Sequence, residues 1–247
     1  MTWGETGFLM VAGVLAGLIG SGAGLASLVS YPALLATGLT PLTANVSNTV
    51  ALTISSVSSV GASLPELRGQ ARRLLPFVLV ALVGGVVGMA LLLSLPPEAF
   101  EAVVPWLIAF ASVALLARPW LQRLRSEHLS ERHPVVVGAV GLVCVYGGYF
   151  GAAAGVLVMA ILGAIVPDDW PRVNAFKNVL LAVSNFTATV GFLVLAPVQW
   201  SATLPLAAGC LVGAALGPGV VRRLPETPLR LVIGAAGLAL AVRLALS

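Results

Sequence analysis

Eight long apolar segments, separated by short polar connections, constrain this chain more than any other feature of its sequence. They cover residues 7–36, 41–64, 74–95, 99–117, 134–166, 172–197, 200–221 and 228–246. Apolar residues make up 59% of the chain and charged residues 9%, whereas about a quarter of the residues in a soluble domain are charged. No soluble fold buries that much apolar surface, so we expect an all-α polytopic integral membrane protein of the bacterial inner-membrane type.

The first and fifth segments are too long to be plain membrane helices. Thirty residues of helix span about 45 Å, whereas the hydrocarbon core of a bilayer is about 30 Å thick. Both segments are interrupted by small residues, in GLIGSGAG at 17–24 and in GGYFGAAAG at 147–155. Broken backbone persists in a membrane only where protein buries it or water reaches it. Each segment is therefore either one span with an unwound part or a re-entrant hairpin.

The two halves of the chain resemble each other. The glycine spacing of the first break recurs 131 residues later, and the same offset places Ser47 on Asn178. The order of long and short segments is also parallel in the two halves. We therefore predict a first transmembrane repeat at 1–117, a basic cytoplasmic linker at 118–133 and a second transmembrane repeat at 134–247, an organisation typical of secondary transporters.

The positions of the basic residues choose between the two forms of the long segments. With eight plain spans, Arg222, Arg223 and Arg230 would lie on the opposite side from the basic linker, against the positive-inside rule. If both long segments re-enter, each half crosses the membrane three times and the second half is inverted. Nearly every basic residue then lies on the cytoplasmic side, so we expect two inverted repeats with external termini.

Two prolines mark the starts of the segments that follow the breaks. Pro41 and Pro171 each open an apolar segment, as proline does in the first turn of a helix. Asp168 and Asp169 precede the second proline and suit N-capping. We expect helices to begin near 41 and 171 and to point their N-termini at the region of the breaks.

The breaks and the polar residues after them form the predicted substrate site. A helix N-terminus carries free N–H donors and partial positive charge, so two such ends that meet near the midplane would bind an anion. The predicted substrate-binding residues lie at a break or in the polar segment that follows it: Gly20, Ser21, Gly22, Gly24, Asn45, Ser47, Asn48, Gly148, Gly151, Lys177 and Asn178. The glycines of VGGVVG at 83–88 and GAALGPG at 213–219 are interpreted as helix-packing residues instead.

Lys177 is the one lysine of the chain and lies inside an apolar segment. An ionisable residue within a membrane segment is a functional candidate, and here it would attract an anion. The alternative is that its ammonium snorkels to the cytoplasmic interface beside Arg172. No carboxylate lies deep in an apolar segment, so any coupling ion is a proton carried on the substrate or a Na⁺ held by carbonyl and hydroxyl oxygens.

Other functional classes are not favoured by the sequence. GSGAG lacks the Gly-x-Ser-x-Gly order of a nucleophile elbow and the Lys of a P-loop. Both histidines, His128 and His133, lie in the linker, and Cys144 and Cys210 lie in apolar segments. We therefore expect no enzyme, no cofactor, no metal site and no nucleic-acid partner. The partners that we expect are the lipid bilayer and a small anion, and the sequence leaves a homodimer open.

The same motifs resemble the sulfite exporter TauE/SafE family, also called the toluene-sulfonate uptake permease family. The matching positions are the first glycine break and its polar step (Gly17, Gly20, Gly22, Gly24, Pro32, Ala44, Ser47), the basic turn (Arg68, Gly69, Arg72) and their second-half counterparts (Gly148, Gly151, Gly155, Lys177, Asn178). Ala23 and Ala152 to Ala154 stand where the family pattern is richer in glycine.

The resemblance implies transport of small anions such as sulfite, sulfonates and related organosulfur or carboxylate compounds. We therefore expect a secondary transporter that moves a small anion by alternating access. A passive anion channel built on the same broken helices is the alternative.

Overall fold

The computed structural model describes residues 1–121, 130–165, 170–221 and 226–246. Every regular element in those ranges is an α-helix. The helices are α1 (Trp3–Ala23), α2 (Ala26–Ala36), α3 (Pro41–Ala62), α4 (Leu64–Leu67), α5 (Ala71–Ser94), α6 (Pro97–Leu116), α7 (Arg118–Leu121), α8 (Pro134–Tyr149), α9 (Ala154–Ile165), α10 (Trp170–Leu195), α11 (Trp200–Val221) and α12 (Glu226–Ala245). The predicted linker starts with α7, and its residues 122–129 lie outside the described ranges.

Five of the described helices are long and apolar enough to cross a membrane by length and composition. They are α1, α5, α6, α10 and the stretch Trp200–Gly217 of α11. Shorter apolar helices accompany them, namely α2, α8 and α9. Large apolar side chains such as Val83, Leu142 and Val194 are exposed on the outside of the bundle, where a bilayer would cover them. The chain is therefore a helical multi-pass membrane protein.

Local sequence explains where the helices begin. Thr2 and Glu5 form a capping box at the start of α1, in which each side chain accepts a hydrogen bond from the backbone N–H of the other. α3 starts at Pro41, and the Thr40 hydroxyl accepts a hydrogen bond from the N–H of Thr43. α10 starts one residue before Pro171. The predicted starts near 41 and 171 are thus confirmed, whereas Asp168 and Asp169 lie outside the described residues.

Small residues let four helices pack backbone to backbone. A Cβ on Gly209 of α11 would overlap the carbonyl oxygen of Met10 of α1, and a Cβ on Gly213 would overlap that of Val14. The residue numbers rise together along both helices, so α1 and α11 are parallel. α5 and α8 pack in the same parallel way, with Gly88 against the turn that contains Val145. The interpretation as packing residues is confirmed for Gly84, Gly85, Gly88, Gly213 and Gly217.

α3 and α10 run antiparallel through the middle of the bundle. The hydroxyls of Thr53 and Thr189 lie 2.7 Å apart, and Asn178 Nδ2 donates to Ser63 Oγ at 2.9 Å. The C-terminal end of α3 therefore lies beside the start of α10. The N-termini of α3 and α10 lie at opposite ends of the bundle, so our expectation that both point at the breaks is wrong. The helix N-termini at the breaks belong to α2 and α9.

Both breaks turn the chain back on itself. α2 packs against α1, with Ala26 against Gly20. α9 packs against α8 and ends five residues before α10 begins. Arg73 of α5 forms an ion pair with Glu131, which places the start of α8 at the same end of the bundle as the starts of α5 and α10. The α8–α9 hairpin therefore enters and leaves at that end.

Helix contacts are exchanged between the two halves. α1 packs on α11 as α8 packs on α5, and α3 packs on α11 as α10 packs on α5. α2 touches α12 as α9 touches α6, while α6 packs on α12 and α3 on α10. Two apolar cores result, one that includes Leu34, Phe100 and Phe192, and one that includes Phe77 and Phe176. The breaks lie where the two halves meet.

Candidate functional site

A cavity of about 70 Å³ lies between the two breaks and the central helices α3 and α10. Its walls come from the turns α1–α2 and α8–α9, from the second half of α3, from the middle of α10 and from Ala214 of α11. A cavity of this size has room for a few waters or one small anion. Ser56 and Asn185 of the lining are partly exposed, which leaves the cavity accessible from outside the protein.

The two breaks touch at equivalent glycines. Gly24 ends α1 with φ +74°, a left-handed conformation that favours glycine. A Cβ on Gly24 would lie 2.8 Å from Gly155 Cα, and a Cβ on Gly155 would lie 2.6 Å from Gly24 Cα. These two glycines are related by the 131-residue offset. Their contact brings both turns to one wall of the cavity.

Two helices open into the cavity with their N-termini. α2 begins at Ala26 and α9 begins at Ala154, and both residues line the cavity. The N-cap residue of α2, Leu25, offers no side-chain acceptor to the first N–H groups. Such ends carry partial positive charge, and α2 adds first-turn N–H donors without a side-chain cap, whereas at α9 the N–H of Ala154 already donates to the carbonyl of Gly151. The lining contains no carboxylate among the described residues. The arrangement therefore favours an anion over a cation.

Hydroxyl and amide groups complete the polar wall. Ser55 and Ser56 donate to carbonyl oxygens of their own helix, as serine does in membrane helices. Asn178 Nδ2 donates to Ser63 Oγ and, at 3.5 Å, to the carbonyl of Ser59. Asn185 makes no hydrogen bond to another of the described residues, so both ends of its amide are available to a ligand.

Lys177 lies behind the α1–α2 turn and not in the cavity wall. Its side chain is completely buried, and Nζ donates to the carbonyls of Gly20 at 3.1 Å and Ser21 at 3.4 Å. Asn174 Nδ2 also donates to the carbonyl of Ser21, at 3.1 Å. The snorkelling alternative is therefore wrong, because the ammonium points into the protein. Lys177 instead donates to carbonyls in the last turn of α1, where the Gly20 carbonyl also accepts a hydrogen bond from the N–H of Gly24.

The break after α8 is held differently. Tyr149 is the last residue of α8, and its carbonyl accepts a hydrogen bond from Asn45 Nδ2 at 2.8 Å. Asn48 is hydrogen-bonded to the hydroxyl of Ser30, and Ser47 Oγ accepts from the N–H of Gln199 at 3.0 Å. These asparagines and Ser47 are buried and do not line the cavity. They are interhelical contacts in this conformation.

The predicted site residues thus divide into two groups. Those that line the cavity are Gly20, Ser21, Gly24, Gly151 and Asn178. Those placed elsewhere are Gly22 in the last turn of α1, Gly148 against the backbone of Gly85, Lys177 behind the turn, and the Asn45, Ser47 and Asn48 group. Binding by either group stays a prediction.

Some lining residues were not among the predicted site residues. Ser55, Ser56 and Ser59 belong to the polar run of α3, which is the signal that could have singled them out. Ser27 lies in the first turn of α2, and its place directly after a glycine break is the only sign in the sequence. Ala26 and Ala154 contribute backbone, and no side-chain pattern marks such positions.

At the second break, an alanine occupies a backbone conformation that favours glycine. Ala153 has φ +59°, the one non-glycine residue with positive φ in the described part of the chain. This conformation disfavours residues with a Cβ.

Comparison with known proteins gives the family of the chain. The family model described as "Sulfite exporter TauE/SafE" matches residues 7–244. The chain belongs to this family. It is 27% identical to a "Probable membrane transporter protein" of Haemophilus influenzae, over 90% of this chain and 87% of the relative. It is 25% identical to "Probable membrane transporter protein YfcA" of Escherichia coli K12, over 87% and 80%.

A third relative extends the similarity across almost the full chain. "Probable membrane transporter protein ORF9" of a Sinorhizobium species is 24% identical, over 96% of this chain and 91% of the relative. No solved structure matches the chain. As a member of the TauE/SafE family with several membrane-length helices, the protein is a multi-pass membrane transporter.

Proposed function

We propose that the protein is a secondary transporter that moves a small anion, such as sulfite, a sulfonate or a related carboxylate, by alternating access. The observation that carries the proposal is the cavity into which the N-termini of α2 and α9 both open. A lining without carboxylates, rich in hydroxyl, amide and backbone N–H groups, suits an oxyanion. The small volume of the cavity favours anions with few heavy atoms.

The contacts between helices support an inverted repeat. Each pairing in one half has a counterpart with the halves exchanged, and α3 runs antiparallel to its counterpart α10. Gly24 and Gly155, which the offset relates, touch each other. A two-fold axis in the membrane plane that passes between these glycines would produce this pattern. Two such halves can rock about the shared site to open it alternately to each side.

The distribution of basic residues supports the orientation. Arg73 and Arg172 lie at the starts of α5 and α10, at one end of the bundle. α12 runs antiparallel to α6, because Gly234 meets Leu116 and Gly237 meets Ser112. The start of α12, with Arg230, therefore lies at that same end. Arg222 and Arg223 lie outside the described residues. The positive-inside rule makes this basic end cytoplasmic.

Flux measurements in proteoliposomes test the proposal. The purified protein is reconstituted, and uptake of sulfite, methanesulfonate and acetate is measured with and without a pH or Na⁺ gradient. We expect saturable uptake of at least one anion, and we expect this uptake to be faster when an anion is trapped inside the proteoliposomes. Absence of uptake of all three would contradict the proposal. Uptake at channel-like rates without counter-flow would instead favour the passive channel.

A further inference from the structure

The buried ammonium of Lys177 lies at an unusual place for a membrane lysine. It is completely buried about two helical turns inside α10, and its hydrogen bonds go to the backbone carbonyls of Gly20 and Ser21. No carboxylate among the described residues forms an ion pair with it. A buried charge requires a compensating partner. Here the compensation comes from the C-terminal end of a broken helix.

Helix ends of this kind bind cations in other transporters. The C-terminal end of a half-helix carries partial negative charge and several carbonyl oxygens without helical partners. In transporters with broken helices, such carbonyls commonly coordinate Na⁺. In this protein, the Lys177 ammonium donates to two carbonyls in the last turn of α1, that of Gly20 at 3.1 Å and that of Ser21 at 3.4 Å. The Gly20 carbonyl also accepts from the N–H of Gly24 at 2.9 Å, so the ammonium takes its second acceptor position. A cation that is part of the chain therefore fills the position.

The ammonium also lies close to the anion cavity without contacting it. Gly20 and Ser21 line the cavity and at the same time accept the hydrogen bonds from Nζ. One peptide layer therefore separates the ammonium from the proposed anion. Across so short a distance in a poorly screened environment, the charge stabilises an anion in the cavity.

Among the described residues, no cation donates to the equivalent break. The 131-residue offset places Val46 opposite Lys177, and the last carbonyl of α8 accepts instead from the neutral amide of Asn45. Two breaks with similar backbone geometry are thus held by different donors. The difference gives only the first break a basic side chain as its donor.

We propose that Lys177 is a tethered cation that replaces Na⁺ at the end of α1, so that transport of the anion does not require Na⁺. This inference rests on the proposed anion transport. Lys177 acts as a positioning residue, because it holds the α1–α2 turn and supplies charge through it. Removal of the ammonium frees one acceptor position on each of the Gly20 and Ser21 carbonyls, which keep their bonds from Gly24 and Asn174, for a mobile cation.

Flux in media of different cations provides the first test. Initial rates of anion uptake by the wild type are compared with Na⁺ and with choline on both sides of the proteoliposome membrane. We expect the two rates to agree within twofold. A rate that falls at least tenfold in choline would overturn the inference but leave anion transport established. No uptake in either medium would instead count against the proposed function itself.

Variants of Lys177 provide the second test. Lys177→Met keeps the length of the side chain without the charge, and we expect at least tenfold slower uptake in choline. Arg72→Met removes an exposed charge at the same end of the bundle and should keep the wild-type rate. Uptake by Lys177→Met at the wild-type rate would overturn the inference.

Thermal unfolding adds a readout that does not depend on flux. In Lys177→Ala, methylammonium or Na⁺ can reach the vacated carbonyls. Either cation should raise the unfolding midpoint of the variant in detergent by several degrees more than that of the wild type. Equal effects on both proteins would contradict a cation site at the end of α1. If the variants do not fold, the comparison of Na⁺ and choline in the wild type still decides.

Discussion

Substitution of Gly24 by alanine perturbs the contact on which the arrangement of the two breaks depends. Gly24 has φ +74°, and its new Cβ would lie 2.8 Å from both Cα and C of Gly155. These are backbone atoms of the other hairpin, which cannot rotate away as a side chain can. Gly69 is the matched control, because it has the same φ of +74° but no atom within 4 Å of the new Cβ.

The two variants separate backbone strain from steric overlap. A left-handed conformation disfavours alanine by about 1–2 kcal/mol, and this applies to both positions. Overpacking at Gly24 adds about 1–3 kcal/mol. We therefore expect a loss of about 1–2 kcal/mol for Gly69→Ala and about 2–5 kcal/mol for Gly24→Ala.

Reversible unfolding in mixed detergent micelles measures these losses, and anion uptake measures their effect on function. Gly24→Ala should lose uptake as well as stability, since the overlap pushes apart the hairpins that form the cavity. Gly69→Ala should keep wild-type uptake. Equal losses of stability in the two variants would refute the contact between Gly24 and Gly155.

Two further predictions test the central helices and the orientation. Thr53→Val removes the hydrogen bond to Thr189 and should lower the unfolding free energy by about 0.6 kcal/mol, the average for such bonds between membrane helices. A double-mutant cycle with Thr189→Val measures this coupling energy, and a coupling energy of zero would argue against the antiparallel pairing. Single cysteines in place of Arg68 and Thr227 should react with an impermeant maleimide from the same face of the membrane, and a cysteine in place of Glu98 should react from the other face. Reaction of the cysteines at 68 and 227 from opposite faces would rule out the inverted repeat.

The sequence alone predicts the breaks well, because several glycines in an apolar segment too long for one membrane span indicate an interrupted helix. It does not separate glycines that line a cavity from those that pack. Gly151 lines the cavity whereas Gly148, three residues earlier, lies against Gly85. Both roles need a residue without a side chain, so the amino-acid type is the same and only the neighbouring helix decides.

The direction of Lys177 could not be predicted for a related reason. Functional exposure and snorkelling both assume that the ammonium seeks an anion or water. The structure offers a third partner, the carbonyls at the end of α1. Those carbonyls are present in every helix and leave no mark in the sequence. Likewise, the helix N-termini at the cavity begin at Ala26 and Ala154, without proline or a capping side chain to announce them.

Anion binding to variants of Asn185 tests the central claim most directly. Asn185 lines the cavity and makes no hydrogen bond to another described residue, so its replacement removes no hydrogen bond of the described fold. Asn185→Asp places a carboxylate beside the proposed anion, whereas Asn185→Ser changes size without charge. Calorimetric titration at pH 8 with the anion that shows the fastest uptake compares both variants with the wild type. We predict that Asn185→Asp weakens binding at least tenfold, about 1.4 kcal/mol, and that Asn185→Ser stays within threefold. Equal binding by Asn185→Asp and the wild type would contradict an anion site at the two helix ends.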